Sequence, residues 1–119
     1  DRLCEQVRGA AETGAAVSVK VRTEVPGVDL PALADRIESA GGDAIHVDAM
    51  DSESVVGEVA AATGLFVIAN NEVRDRESVR EYLDYGADAV SVGRPSDEPA
   101  VLERVRDATR AWFAGEVEP

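Results

Sequence analysis

The sequence predicts an α/β protein made of parallel βα units, with about four strands and five helices. Four short runs rich in β-branched residues start 26, 22 and 23 residues apart. Segments with apolar residues at helical spacing lie between these runs, and glycines or a capping aspartate mark the segment ends. Strands that alternate with helices of this length are typical of a parallel sheet.

The predicted strands combine β-branched residues with a period of two. In the first strand three valines alternate with Ser18, Lys20 and Arg22, and in the second two apolar residues alternate with His46 and Asp48. The apolar side of each strand is expected to pack against helices. The predicted strands cover residues 17–22, 43–48, 65–70 and 88–93.

The predicted helices begin and end at recognisable residues. Asp29 precedes Leu30 and Pro31, an N-cap followed by a proline in the first turn. Glycines at 41–42, 64 and 86 follow helical segments, and we expect them to end those helices as C′ residues. The predicted helices cover residues 1–16, about 30–40, a segment after Ser52, a segment after Asp75, and 99–114.

An internal repeat extends the prediction from single elements to an architecture. Residues 42–47 and 87–92 match in pattern at an offset of 45, which is the length of two βα units. Such repetition is typical of a barrel of βα units, and a whole TIM barrel needs about 250 residues. We therefore expect residues 1–115 to form the C-terminal half of a TIM barrel, followed by an acidic tail at 116–119. A small open α/β sandwich is the alternative.

Composition excludes several functional classes. The chain has 119 residues, 12 basic and 24 acidic, with a net charge of −12 and one cysteine. These values argue against a membrane-spanning protein, a disulfide framework and a basic nucleic-acid binder. The sequence shows no secretion signal, so we expect a cytoplasmic protein. The dispersed acidic charge is typical of proteins from salt-loving archaea, whose repulsion is screened at molar salt.

Polar residues lie late in the predicted strands, where a barrel has its active-site mouth. Each has a structural alternative: Lys20 could extend to the rim, Arg22 could pair with Glu24 or Asp48, and His46 could be an ordinary interior histidine. A single histidine gives no metal-binding spacing, so we predict no metal site. The candidate site residues on the strands are Lys20, Arg22, His46, Asp48 and Asn70.

Two loops resemble a phosphate-binding site. Asn70 and Asn71 follow the third strand, and Gly93 with Arg94 follows the fourth, just before the last helix. Loops in these positions of a barrel frequently bind phosphate through backbone N–H groups and a helix N-terminus. An arginine adds a bidentate donor. Neither a Walker loop nor a GxGxxG loop is present in the sequence, which argues against a P-loop or Rossmann nucleotide site.

Taken in order, four segments resemble the C-terminal part of the catalytic barrel of tRNA-dihydrouridine synthases. More broadly they resemble the FMN-dependent barrel oxidoreductases that include dihydroorotate and dihydropyrimidine dehydrogenases. The segments are V-S-V-K-V-R at 17–22, A-G-G-D-A-I at 40–45, F-V-I-A-N-N at 66–71 and G-A-D-A-V-S-V-G-R at 86–94.

The resemblance implies that FMN binds at the barrel mouth. Lys20 matches the family's lysine beside the pyrimidine edge of the flavin. The loops at 70–71 and 93–94 match those that hold the phosphate, although the family has glycine where this chain has Asn71. Asp48 stands where the family has a histidine, and His46 lies two residues earlier on the same face. The implied substrate is a pyrimidine or a tRNA uridine.

Three alternatives stay open at this level. The first is a dehydrogenase of dihydroorotate or of free dihydropyrimidines. The second is a half-barrel without catalytic activity that binds a phosphate-bearing ligand. The third concerns assembly: open sheet edges also predict self-association with a second copy.

Overall fold

A computed structural model of the chain describes residues 2–23, 27–50, 52–71, 73–93 and 97–115. Strands and helices alternate throughout these ranges. In chain order the elements are α1 (Arg2–Ala11), β1 (Ser18–Arg22), α2 (Leu30–Ser39), β2 (Ala44–Asp48), α3 (Val55–Ala62), β3 (Phe66–Asn70), α4 (Arg76–Tyr85), β4 (Ala89–Ser91) and α5 (Pro99–Phe113).

The four strands form one parallel sheet in the order β1-β2-β3-β4. Each strand therefore pairs with its neighbour in sequence through a helical crossover, and β1 and β4 form the two edges of this sheet. Four parallel strands with five helices confirm the predicted fold class. The predicted boundary between barrel and tail stays untested, because residues 116–119 lie outside the described ranges.

The core lies between the outer face of the sheet and the helices. Ile45 and Val47 of β2 and Ala69 of β3 are completely buried, and Val67 is 1% exposed. The apolar sides of α2, α3 and α4 cover these residues with Ile37, Val59 and Val79, among others. Burial of apolar area of this kind is the main stabilising contribution to folding. The predicted apolar side thus faces the helices.

Helix ends agree with the sequence at most positions. The Asp29 carboxylate accepts a hydrogen bond from Ala32 N–H at 3.1 Å, and Asp75 caps α4 together with Ser78. Gly41 and Gly86 adopt φ values of +107° and +111°, which residues other than glycine rarely adopt.

Gly64 corrects the expectation of a left-handed C′ glycine. Its φ is not positive, and Thr63, at the end of α3, is extended. A Cβ at residue 64 would lie 2.7 Å from Glu38 Oε2, so a larger residue there would displace the exposed Glu38 carboxylate from its present position. The Glu38 carboxylate accepts hydrogen bonds from Gly64 N–H at 3.1 Å and from Thr63 Oγ1 at 2.8 Å. These bonds, the first above all, lower the pKa of Glu38.

Two predicted elements are too long. The helix predicted over 1–16 ends at Ala11, because a turn follows in which Gly14 has a φ of +82°. The strand predicted over 88–93 covers only Ala89–Ser91. Within the described residues β4 pairs only with β3, through three register pairs that end at Asn70 and Ser91.

The internal repeat corresponds to a repeated pair of hydrogen bonds at the amino edge of the sheet. Asp43 N–H donates to Val17 O at 2.8 Å, and the Asp43 carboxylate accepts from Val17 N–H at 2.7 Å. Asp88 and Val67 form the same two bonds, each at 2.8 Å. We call these two pairs the amino-edge brackets. They fix β2 to β1 and β4 to β3 before the ladders begin.

Among the described residues, every helix is too short or too polar to cross a lipid bilayer.

Candidate functional site

The inner face of the sheet, opposite the helices, carries the polar residues in register. The middle row brings Lys20 beside His46, followed by two apolar residues, and the row nearest the carboxyl edge is polar throughout. The sequence-predicted strand residues therefore meet on one face. The middle row is Lys20, His46, Ile68 and Ala89, and the outer row is Arg22, Asp48, Asn70 and Ser91.

The two cations of this face are open to solvent. Lys20 and Arg22 are both exposed, and no ion pair joins Arg22 to Asp48. Phe66, at the base of the same face, is 50% exposed. Among the described residues, the face therefore combines exposed aromatic surface with positive charge that makes no ion pair, a combination that suits an anionic, partly apolar ligand.

His46 has a buried nitrogen without a protein partner. Its Nε2 atom is inaccessible and makes no hydrogen bond in the structure. Burial lowers the pKa of His46, and the positive charge of Lys20 lowers it further, against an opposing effect of Asp48. The imidazole is thus neutral at pH 7, and Nε2 is free to donate or accept a hydrogen bond. A buried polar atom without a partner is uncommon in folded proteins.

Asn71 adopts a conformation that usually requires glycine. Its φ is +128°, and that of Met50 in the preceding βα loop is +49°. The side-chain Nδ2 of Asn71 donates to Met50 O, while Asn71 O accepts from Tyr82 Oη at 2.9 Å. Met50 N–H in turn donates to Asp48 Oδ1 at 3.3 Å. Asn71 thereby joins two loops and α4.

Thr23 extends this connection to the first loop. It is 1% exposed, and its Oγ1 donates to Ala49 O at 2.5 Å. Ala49 N–H donates to Asn70 O at 2.9 Å. The Thr23 and Asn71 side chains therefore link consecutive βα loops along the carboxyl edge, and Tyr82 fixes the last of these loops to α4. We call Thr23, Asn71 and Tyr82 the carboxyl-edge relay.

Sequence reasoning missed two members of this relay. Tyr82 lies among apolar residues at helical spacing, a pattern that indicates an ordinary core residue, and Thr23 follows the predicted strand without a motif. The feature of the sequence that could have indicated these loop contacts is Asn71, because asparagine is enriched at positive φ among residues other than glycine.

The fourth strand contributes Gly93. A Cβ on Gly93 would lie 3.8 Å from Asn70 Oδ1, so the two predicted loops approach each other at this point. Because 3.8 Å is an ordinary contact, a larger residue would also fit, and Gly93 is not required by space alone. Arg94, the predicted phosphate ligand, lies outside the described residues.

Together these residues form an open polar surface at the carboxyl edge of a parallel sheet, where α/β proteins commonly bind ligands. Lys20 and Arg22 supply positive charge, and Asp48 and Asn70 supply acceptors and an amide donor. His46 supplies a neutral donor or acceptor. Such a set can bind a flat, hydrogen-bonding, anionic group and stabilise negative charge on it.

Comparisons with known proteins identify similar structures but no family. No protein-family model matches the sequence. No curated protein matches it.

Solved structures do match. A mandelate oxidase mutant with 3,3,3-trifluoro-2,2-dihydroxypropanoic acid is 26% identical over 90% of the chain, with a TM-score of 0.68. A chain of the Amycolatopsis orientalis BexX/CysO complex is 17% identical over 98%, with a TM-score of 0.67. The 3-hexulose-6-phosphate synthase of Salmonella typhimurium is 19% identical over 91%, with a TM-score of 0.61.

These matches cover only part of each known structure. The chain spans 38% of the mandelate oxidase chain, 52% of the BexX/CysO chain and 54% of the synthase chain. The oxidase and the synthase are TIM-barrel-like α/β structures. The chain therefore has a TIM-barrel-like α/β fold, of which it forms about half.

Proposed function

We propose that the chain is part of an FMN-dependent oxidoreductase that acts on the C5–C6 bond of a pyrimidine, as in the tRNA-dihydrouridine synthases that its sequence resembles. One observation carries the proposal: Lys20 and His46 are register partners on an open inner face, directly below a row of polar side chains. Identity of 26% to an oxidase over 90% of the chain supports the oxidoreductase class.

The donor set fits a flavin. The Lys20 ammonium would lie against the ring edge that becomes negatively charged, and would stabilise that charge. Arg22, Asp48 and Asn70 offer the hydrogen bonds that orient a polar ring and its side chain. FMN, when bound, supplies the hydride chemistry. The loops at 70–71 and 93–94 would hold its phosphate.

His46 would act on the substrate side of the site. Its lowered pKa favours a neutral imidazole at pH 7. A side-chain movement that uncovers the buried Nε2 would let it donate one hydrogen bond to a carbonyl oxygen or a ring nitrogen. A uracil ring offers such acceptors, either as a free pyrimidine or as a uridine of tRNA. A net charge of −12 disfavours direct contact between this segment and tRNA phosphates. The rest of the barrel would supply that contact.

A second candidate is dehydrogenation of dihydroorotate. Lys20 and Arg22 make no ion pair with another described residue, and both lie on the face where a ligand would bind. Two uncompensated cations suit a substrate that carries its own carboxylate. The two candidates share the flavin and differ in the charge of the substrate.

The test is an FMN titration of the chain in concentrated KCl, followed by flavin fluorescence. We expect saturable quenching, weakened at least about tenfold by Lys20→Met and by Arg94→Ala, because each loses a charge-assisted contact. The control is Arg8→Ala on α1, which removes a cation away from the inner face. Absence of saturable binding by the unsubstituted chain would contradict the proposal.

Substrates separate the two candidates. If FMN binds, anaerobic addition of dihydrouridine or of dihydroorotate should bleach the flavin absorbance for one of them. Bleaching by dihydroorotate alone would favour the second candidate over the first.

A further inference from the structure

Tyr82 carries a hydroxyl group whose role is separate from the packing of its ring. The side chain is 2% exposed and lies with Val79 and Leu83 on the buried side of α4. A phenylalanine would fill the same volume. The hydroxyl donates to Asn71 O at 2.9 Å, so replacing it tests a hydrogen bond to the loop with little change in the core.

Asn71 needs such a contact because of its backbone. At a φ of +128° a residue with a Cβ is strained, and the surrounding structure must hold it there. Two bonds do so from opposite sides: the Tyr82 hydroxyl binds the carbonyl, and the side-chain amide binds Met50 O. Without the Tyr82 hydrogen bond, less stabilising energy would offset the strain of this backbone conformation.

The conformation of Asn71 bears directly on the candidate site. Asn71 follows Asn70, whose side chain lies in the polar outer row and whose carbonyl accepts from Ala49 N–H at 2.9 Å. Asn70 Oδ1 also lies next to Gly93, the first residue of the other predicted phosphate loop. A shift at Asn71 would therefore move two loops relative to each other.

We infer that Tyr82 is a positioning residue: through the carbonyl of Asn71 it holds the β3–α4 loop, which would bind the phosphate of the ligand, in place against the β2–α3 loop. This inference rests on the proposed function. Tyr82 touches neither the flavin nor the substrate in this arrangement. It acts on affinity by keeping the loops in the binding conformation before the ligand arrives.

The experiment compares Tyr82→Phe with Tyr85→Phe. Tyr85 lies on the same helix and is 37% exposed, so it controls for loss of a tyrosine hydroxyl. Binding of FMN and of riboflavin, which lacks the phosphate, is measured in concentrated KCl. We expect Tyr82→Phe to weaken FMN binding about 3- to 10-fold, the effect of one buried hydrogen bond. Riboflavin affinity should change less than about twofold.

A second measurement needs no ligand. The Ala49 amide bridges the two loops, so its hydrogen exchange reports their pairing. We expect Tyr82→Phe, and not Tyr85→Phe, to accelerate that exchange by about the same 3- to 10-fold. Unchanged exchange in Tyr82→Phe would overturn the inference.

The two flavins distinguish positioning from general stability. Equal loss of FMN and riboflavin affinity in Tyr82→Phe would mean that the hydroxyl only stabilises the fold, and would overturn the inference. Absence of flavin binding by the unsubstituted chain would instead reject the proposed function, and the positioning role with it. The unsubstituted chain is measured first, so a failure of the proposed function is distinguished from a failure of the positioning role.

Discussion

The two edges of the sheet are built differently. At the amino edge, the brackets of Asp43 and Asp88 repeat one arrangement with regular backbone geometry. At the carboxyl edge, Met50 and Asn71 adopt positive φ values, and His46, in the row below that edge, has a buried nitrogen without a partner. The amino edge is satisfied within the chain, whereas the carboxyl edge holds strain and unmet hydrogen-bonding capacity. The side-chain brackets that fix neighbouring strands thus lie at the end of the strands opposite the one where we propose that the ligand binds.

The largest expected effect lies at the amino edge. Asp88→Ala removes the acceptor of Val67 N–H, so we expect the free energy of unfolding to fall by about 1–2 kcal/mol in a denaturant titration. Flavin affinity of the folded variant should stay unchanged. Asp84→Ala, an exposed carboxylate on α4, is the control. A strong loss of affinity in Asp88→Ala would break the division between the edges.

The next effect separates strain from hydrogen bonding at the carboxyl edge. Asn71→Ala and Asn71→Gly both lose the bond to Met50 O, but only alanine keeps the penalty of positive φ. We expect the alanine variant to be about 1 kcal/mol less stable than the glycine variant in thermal or denaturant unfolding. Equal stabilities would show that residue 71 is not strained.

The smallest effect is a dependence of stability on pH. Burial lowers the pKa of His46 below its ordinary 6.5, so the unfolded chain binds the proton more readily than the folded chain. The contribution of His46 is complete above pH 6.5 and is lost as pH falls through 6.5 towards the folded pKa. We expect the free energy of unfolding to decrease over this window, and His46→Gln to abolish the decrease.

A second acid-sensitive contribution lies at lower pH and serves as the internal control. The Ser78 backbone N–H, above all, lowers the pKa of Asp75 below its ordinary 3.8, with help from the Ser78 hydroxyl. Its stabilisation is present above pH 3.8 and disappears as pH falls through the lowered pKa. His46→Gln should leave this step unchanged. Loss of both steps in His46→Gln would contradict the assignment.

The sequence predicted the fold well because local rules decide it. Alternation located the strands to within one residue at β1, β2 and β3, and capping residues located α2 and α4. Gly64 was predicted wrongly as a left-handed C′ residue, because its backbone N–H instead donates to the Glu38 carboxylate, a contact between residues 26 apart. The strand faces predicted which polar residues meet, since the period of two leaves no other arrangement.

Only the candidate site residues that lie on strands could be predicted from the sequence. Lys20, His46 and Asn70 follow from alternation and register. The relay from Thr23 through Asn71 to Tyr82 does not, because it depends on how loops and a helix approach one another in three dimensions. In the sequence Tyr82 has the pattern of any aromatic core residue, and only the structure places its hydroxyl beside the Asn71 carbonyl.

The number of helices constrains what can complete the barrel. Four strands have three junctions, bridged by α2, α3 and α4, and α1 and α5 lie beside α2 and α4 at the two flanks. An eight-stranded barrel has one helix for each junction. A complement with four strands and three helices satisfies that count. A second copy would bring the same five helices that the described residues form, so we expect it to fit that count less well, because two junctions would each have to accommodate a pair.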